Sequence, residues 1–260
     1  MSTFQKDNLM FLSDDEKCNL SNIHLRKIVP ISVCKKFLET QLLFMDQVKS
    51  WDDHYENFFL KERIHASMYD INCESVIPYV YGQSWSYGDE SYLMWRAYLK
   101  DSMAVCLETT ADRLFDVCSL HKKDLCALWL GKVNYIPTNM IDEIVKQASM
   151  IPANECQSLW NKFFPKTLFY KRTEFKDETE FRVVRIIPSE GKCYSKIGAP
   201  KRICYNISPS AVFTAISINP FLPKSLACDE INSIRKLCND SIPVTQSKLF
   251  SFCPIDIYLK

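Results

Sequence analysis

Glycine is scarce in this chain, with five residues in 260, and none falls in a Gly-x-Gly-x-x-Gly or Gly-x-x-x-x-Gly-Lys arrangement. That excludes a Rossmann dinucleotide site and a P-loop, both of which need glycine where the backbone closes on phosphate. Any nucleotide must be held by side chains. Excess charge is also missing: 32 Lys and Arg against 31 Asp and Glu leave +1. This is too little for a protein whose main work is neutralising nucleic-acid phosphates without specificity. No apolar run approaches the roughly 18 residues that cross a bilayer. The opening Met1-Ser2-Thr3-Phe4-Gln5-Lys6-Asp7 lacks the basic-then-apolar layout of a signal peptide. A cytoplasmic protein without membrane attachment is expected.

Twelve cysteines are present, but no two form a Cys-x-x-Cys pair, and the closest, Cys118 and Cys126, stand eight apart. The four histidines, His24, His54, His65 and His121, do not complete a zinc spacing. No metal is expected. Cysteines such as Cys106, between Val105 and Leu107, read as free thiols that behave as small buried hydrophobes in a reducing compartment.

What is abundant is core material, 47% hydrophobic and 13% aromatic residues, enough for a globular fold. Residues 1–21 read as a polar arm, and residues 22–260 as one α+β domain. A mixed β-sheet flanked by helices, with room for a split, is expected because strands and helices interleave without regular βα periodicity. Strands are predicted over Leu25–Val29, Val76–Ser86, Met103–Glu108, Gly131–Ile136, Glu178–Ile187 and Ala211–Ile218. Helices are predicted over Ser32–Leu42, from the Trp51 turn through Arg63, and over Glu90–Leu99, Ala111–Leu120, Asn139–Met150, Cys156–Tyr170 and Leu226–Leu237. Leu42–Met45 is a further apolar run.

Four segments place polar or aromatic residues where core-building alone would not. Trp51-Asp52-Asp53-His54-Tyr55-Glu56 reads either as a helix cap, with a carboxylate accepting backbone N–H bonds, or as a ligand-facing loop. In Tyr81-Gly82-Gln83-Ser84-Trp85-Ser86, alternation puts Tyr81, Gln83 and Trp85 on one face and Gly82, Ser84 and Ser86 on the other. Gln83 then needs partners from a neighbouring loop or from a ligand. Ser91, Trp95 and Tyr98 form a stripe on one helix face, either core or a cleft wall. In Glu178-Thr179-Glu180-Phe181-Arg182, spacing by two aims both carboxylates and the guanidinium along one strand face at the rim of the core. Paired carboxylates suit acid/base or transition-state chemistry; a Glu–Arg ion pair closing a sheet end is the alternative.

In order, Leu25-Arg26, Trp51-Asp52-Asp53-His54-Tyr55-Glu56, Trp85-Ser86, Leu93-Met94-Trp95-Arg96-Ala97-Tyr98 and Glu178-Thr179-Glu180-Phe181-Arg182 resemble a bacterial domain-of-unknown-function family, number two-nine-seven-one. The resemblance covers about Leu25 to Phe250. His54 stands where that family has Pro, and Ala104 where it has Gly. More distantly, the order of Arg, strand-end Ser and Glu-x-Glu resembles ADP-ribosyltransferases, which bind NAD in a cleft of a split sheet without a Gly-rich loop. That resemblance implies an NAD-consuming enzyme acting on a protein or nucleic-acid acceptor, with a role in phage defence or as a toxin. It implies Glu180 as catalytic with Glu178 in support, and Arg26, Gln83, Trp85, Ser86, Trp95, Tyr98 and Arg182 as cofactor contacts. Trp51, Asp52, Asp53, Tyr55 and Glu56 would form a substrate loop. The alternatives are a non-catalytic nucleotide- or partner-binding module and a metal-dependent phosphodiesterase using Asp52, Asp53, Glu56 and Glu180.

Overall fold

Strands in this chain form where β-branched and aromatic residues alternate or run together, and the helices begin where proline or a polar cap stops them. A computed structural model describes residues 8–51, 53, 55–56, 58–61, 63–66, 69–72, 76–98, 103–119, 127–150, 163–187 and 199–251. Asp52 and His54 lie outside the described residues, as do Leu120 and most of the helix expected over Cys156–Tyr170.

The strands are β1 (Leu9–Met10), β2 (His24–Pro30), β3 (Leu42–Gln47), β4 (Arg63–Ala66), β5 (Tyr69–Asn72), β6 (Val80–Tyr87), β7 (Ala104–Thr110), β8 (Ala127–Lys132), β9 (Asn134–Ile136), β10 (Tyr170–Arg172), β11 (Glu180–Ile186), β12 (Arg202–Asn206), β13 (Ala215–Ile218) and β14 (Val244–Gln246). The longer helices are α1 (Asp14–Cys18), α2 (Ile31–Thr40), α3 (Tyr92–Tyr98), α4 (Ala111–Ser119), α5 (Asn139–Ser149) and α6 (Lys224–Leu237). The class is α+β, with a large mixed sheet and flanking helices. Its described residues gather into two compact units: those of 1–25, 42–88 and 110–207, and those of 26–41, 89–109 and 208–260.

In the first unit the strand order is β1-β8-β11-β6-β3-β12. β1 joins β8 in parallel, and the other neighbours are antiparallel. β11 is central, so six of its seven residues are buried. Val80, Trp129, Val184, Phe164, Leu168 and Phe169 belong to the apolar cluster beside it. β1 approaches so closely that a Cβ on Gly131 would lie 2.0 Å from the Met10 carbonyl oxygen, which explains a glycine inside a strand. In the second unit the order is β2-β7-β13-β14, with β7 and β13 antiparallel and β13 and β14 parallel. Ile28, Met94, Trp95, Ala104 and Cys106 pack together there. The seven described cysteines are free thiols.

Several expectations need correction. The arm is not peripheral from residue 8 onward: Leu9, Met10 and Leu12 are buried, and Ser13 and Glu16 form a reciprocal capping box on α1. Among the described residues before Arg63, where a helix is expected, Phe58–Lys61 form a 3-10 turn, and Arg63 opens β4. Ala211 and Val212 lie in a one-turn helix that Pro209 starts, so the strand begins only at Ala215. Glu178 is not in a strand. It ends a 3-10 helix over Thr173–Glu178, and Thr179 adopts a left-handed φ of 44°, so the strand starts at Glu180. The described end of the Cys156–Tyr170 helix is one turn, Phe164–Thr167, and Tyr170 is already in β10.

Candidate active site

Register decides which side chains meet. Glu180 lies opposite Ser86, Arg182 opposite Ser84 and Val184 opposite Gly82. Directly opposed residues share a face, so these six line one face of the β11–β6 pair. Phe181, Val183, Trp85 and Gln83 line the other.

On the first face Arg182 is wholly buried. Its Nη2 donates to Glu180 Oε2 at 2.6 Å, its Nε to the same oxygen at 3.2 Å, and its Nη1 to the Leu168 carbonyl at 2.7 Å. Glu56 Oε1 stands 3.0 Å from Nη2. The guanidinium lies 4.3 Å from the centroid of the Trp51 ring. Trp51 in turn occupies the space above Gly82, where a Cβ would come within 2.4 Å of the indole. Glycine at position 82 therefore makes room for the ring that covers the guanidinium.

Lys171, on β10, completes the cluster. Its Nζ is 2.7 Å from Glu178, 2.8 Å from Glu56 and 3.6 Å from Glu180, and it lies over the Phe175 ring. The Tyr135 hydroxyl accepts the Glu180 backbone N–H at 2.8 Å. Beside these groups, Arg172 forks onto Asp53 at 3.1 and 3.2 Å and stacks on Tyr55 and Phe175. Asp53 also accepts the Tyr55 N–H, as an Asx turn would.

Three carboxylates thus share two cations. Burying each charge costs several kcal/mol, and only near-complete pairing offsets that. Burial pushes the Glu180 carboxyl up, but Arg182, Lys171 and the Ser84 hydroxyl overcome it and hold the group below the usual 4.5. Glu56 goes the other way: burial outweighs the same two cations and raises it. Lys171 and Arg182 are both held protonated, their desolvation overcome by Glu180 and Glu56. Access differs within the pair, since the Glu178 side chain is 25% exposed and that of Glu180 6%.

The structure thus brings together Glu178, Glu180, Arg182, Ser86, Trp51 and Glu56, with Asp53 and Tyr55 alongside. The ion-pair alternative for Glu180 and Arg182 is realised in full. Trp85 and Gln83 are turned to the other face, so a site built on Glu180 does not include them: Trp85 Nε1 donates to Gln83, and Gln83 donates to the Phe44 carbonyl. Gln83 is therefore satisfied by protein. Arg26, Trp95 and Tyr98 belong to the second unit. There Arg26 stands 3.5 Å from Glu108, and buried Trp95 donates to Glu90 at 2.6 Å. Tyr98 lies exposed at the end of α3. A metal-dependent phosphodiesterase would need carboxylates open to a cation, yet Glu56 and Glu180 already spend their oxygens on Lys171 and Arg182. No group of three His, Cys, Asp or Glu among the described residues could hold a metal ion.

Sequence reasoning missed Lys171, Arg172, Phe175 and Tyr135. A signal existed for the first two: a pair of cations after the apolar stretch Leu168 to Tyr170, just ahead of the four carboxylates Glu174, Asp177, Glu178 and Glu180. Buried carboxylates require cations, and Arg182 alone could not neutralise them.

No family model matches the chain, and no curated protein does. The resemblance to family two-nine-seven-one therefore rests on its ordered motifs. Among solved structures, DarT from Thermus sp. 2.9, in complex with NAD+, is similar over 86% of this chain and 95% of that chain, at 10% identity and a TM-score of 0.38. At that distance the likeness carries no argument about chemistry. No described helix is long and apolar enough to cross a membrane.

Proposed function

We propose that the first unit carries the site of an NAD-consuming, ADP-ribosyltransferase-like enzyme acting on a protein or nucleic-acid acceptor. The observation that carries the reading is a pair of carboxylates at the head of β11, tied together by Lys171, one sealed and one open. In such a reaction the bond between nicotinamide and ribose breaks, nicotinamide leaves with the electron pair, and the acceptor's nucleophile closes on the ribosyl cation and gives up its proton to water. A preorganised carboxylate beside the developing cation stabilises it, commonly the largest single catalytic contribution.

Of the two carboxylates, Glu178 is the one a ligand reaches. Glu180, saturated by Arg182, is a positioning residue that fixes Lys171 and through it Glu178. This exchanges the roles that the resemblance implies. Tyr55, exposed and stacked on Arg172, offers an aromatic surface for a planar ring. The reading does not use Arg26, Trp95 or Tyr98. The saturation of Glu180 favours one other reading, a non-catalytic nucleotide- or partner-binding module.

Incubating the full chain with NAD and mixed protein and nucleic-acid acceptors, and measuring nicotinamide, separates the two. Release above the enzyme-free rate, lost in Glu178→Gln, is expected. A folded wild-type chain inert with both acceptor classes returns the binding module. A role in phage defence or toxicity adds that wild-type chain, and not Glu178→Gln, slows growth or lowers phage plating on expression in bacteria.

A further inference from the structure

The second unit carries an exposed aromatic platform that the proposed chemistry does not use. Tyr92, Phe221 and Phe250 are 45%, 38% and 57% exposed, although large rings are normally covered. They pack on one another, Tyr92 edge-on to both phenylalanines at 6.0 and 6.2 Å, and Phe221 tilted against Phe250 at 5.0 Å. Leu93, beside Tyr92 on α3, is more exposed still.

A guanidinium sits in the middle of these rings. Arg96 lies 4.9 Å from the Phe221 centroid and 5.3 Å from that of Tyr92, and its Nε donates to the Tyr92 hydroxyl at 2.9 Å. Arg96 is exposed, and among the described residues no carboxylate is within ion-pair distance of it. The platform is also braced from below. Glu90 accepts from both Trp95 and Ser247, tying α3 to the segment that carries Phe250. Gln246 donates to the carbonyls of Asn219 and Leu222, holding the turn that carries Phe221. A rigid apolar surface around a fixed fork of N–H donors binds with little ordering cost.

We propose that this platform docks a partner-protein segment that presents one carboxylate flanked by apolar side chains. The carboxylate pairs with the Arg96 fork, and the apolar groups cover Leu93, Phe221 and Phe250. Charge complementarity favours this occupant over nucleic acid. The planar Arg96 fork matches one carboxylate in bidentate geometry, and the exposed rings around it match uncharged apolar side chains.

A random peptide display library panned on the full chain tests this, with Arg96→Glu and Phe250→Ala chains as parallel baits. Both side chains are exposed, so unchanged thermal melting of the variants serves as the folding control. The expected result is enrichment of peptides with a carboxylate among apolar residues, binding at least about tenfold weaker to either variant. Three results overturn the proposal: no enrichment over the variants, displacement of the peptides by a single-stranded oligonucleotide, or concentration-dependent self-association that both variants abolish. Because NAD turnover is read separately, failure here leaves the proposed chemistry standing, and the converse holds.

Discussion

Two buried arginines stand three residues apart on β11 and keep different company. Arg182 faces Glu180 and Glu56 under the Trp51 ring, in a cluster of full charges. Arg185, on the opposite face, donates to the Cys118 carbonyl and the Tyr205 hydroxyl and lies over the Tyr205 ring. Arg182 is paired with two carboxylates, and Arg185 meets a backbone carbonyl, a hydroxyl and an aromatic ring. Beside the Arg182 cluster the Glu178 side chain, paired with Lys171, is 25% exposed. Burial alone does not make an arginine part of the proposed site; Arg182 belongs to it through the carboxylates it holds.

The comparison breaks most visibly in stability. Arg182→Met leaves Glu180 and Glu56 buried with Lys171 alone, and should cost about 3–5 kcal/mol or prevent folding. Arg185→Met gives up the hydrogen bonds to the Cys118 carbonyl and the Tyr205 hydroxyl and should cost about 2 kcal/mol. Equal midpoints in urea unfolding would erase the distinction. Gly82→Ala sharpens it: the new methyl displaces Trp51 from Arg182, for about 1–3 kcal/mol, and leaves the Arg185 face as it was.

A smaller effect is the pH dependence. The folded Glu180 carboxyl lies below 4.5, so the unfolded chain binds more protons in that window, and the Glu180 contribution is lost as pH falls from about 4.5 through the lowered value. Glu56 is raised above 4.5, so the folded chain holds a proton there, and its contribution weakens as pH climbs. Glu56→Gln removes the second trend and keeps the first. Stability between pH 4.5 and 7 should be flatter in the variant than in the parent; identical slopes would remove Glu56 from the titrating set.

Part of this site is legible in the amino-acid sequence. Glu180 and Arg182, two apart at the head of an apolar strand, had to lie on one face at the core's edge, and the crowded Trp51–Glu56 turn exceeds what a helix cap needs. Lys171 escaped notice because its signal, a cation pair after Leu168 to Tyr170, gains meaning only once the buried carboxylates that need it are placed. The facing of Ser84 and Ser86 toward Glu180, with Trp85 and Gln83 turned away, depends on the pairing of β6 with β11. A one-residue slip would have reversed it. The apolar stretch from Ala211 misled for another reason: three apolar residues in a row, Ala211 to Phe213, also fit a helical turn, and Pro209 selected the turn through Val212.

The central claim is that the open carboxylate does the chemistry while the sealed one holds the architecture. Nicotinamide release per folded molecule, measured side by side for wild-type, Glu178→Gln and Glu180→Gln chains, tests it most directly. Glu178→Gln should fall about 100-fold, roughly 3 kcal/mol of transition-state stabilisation, with melting little changed. Glu180→Gln should instead melt far lower while its folded fraction keeps a larger share of the activity. Full activity in Glu178→Gln, with loss confined to a stably folded Glu180→Gln, would contradict the account.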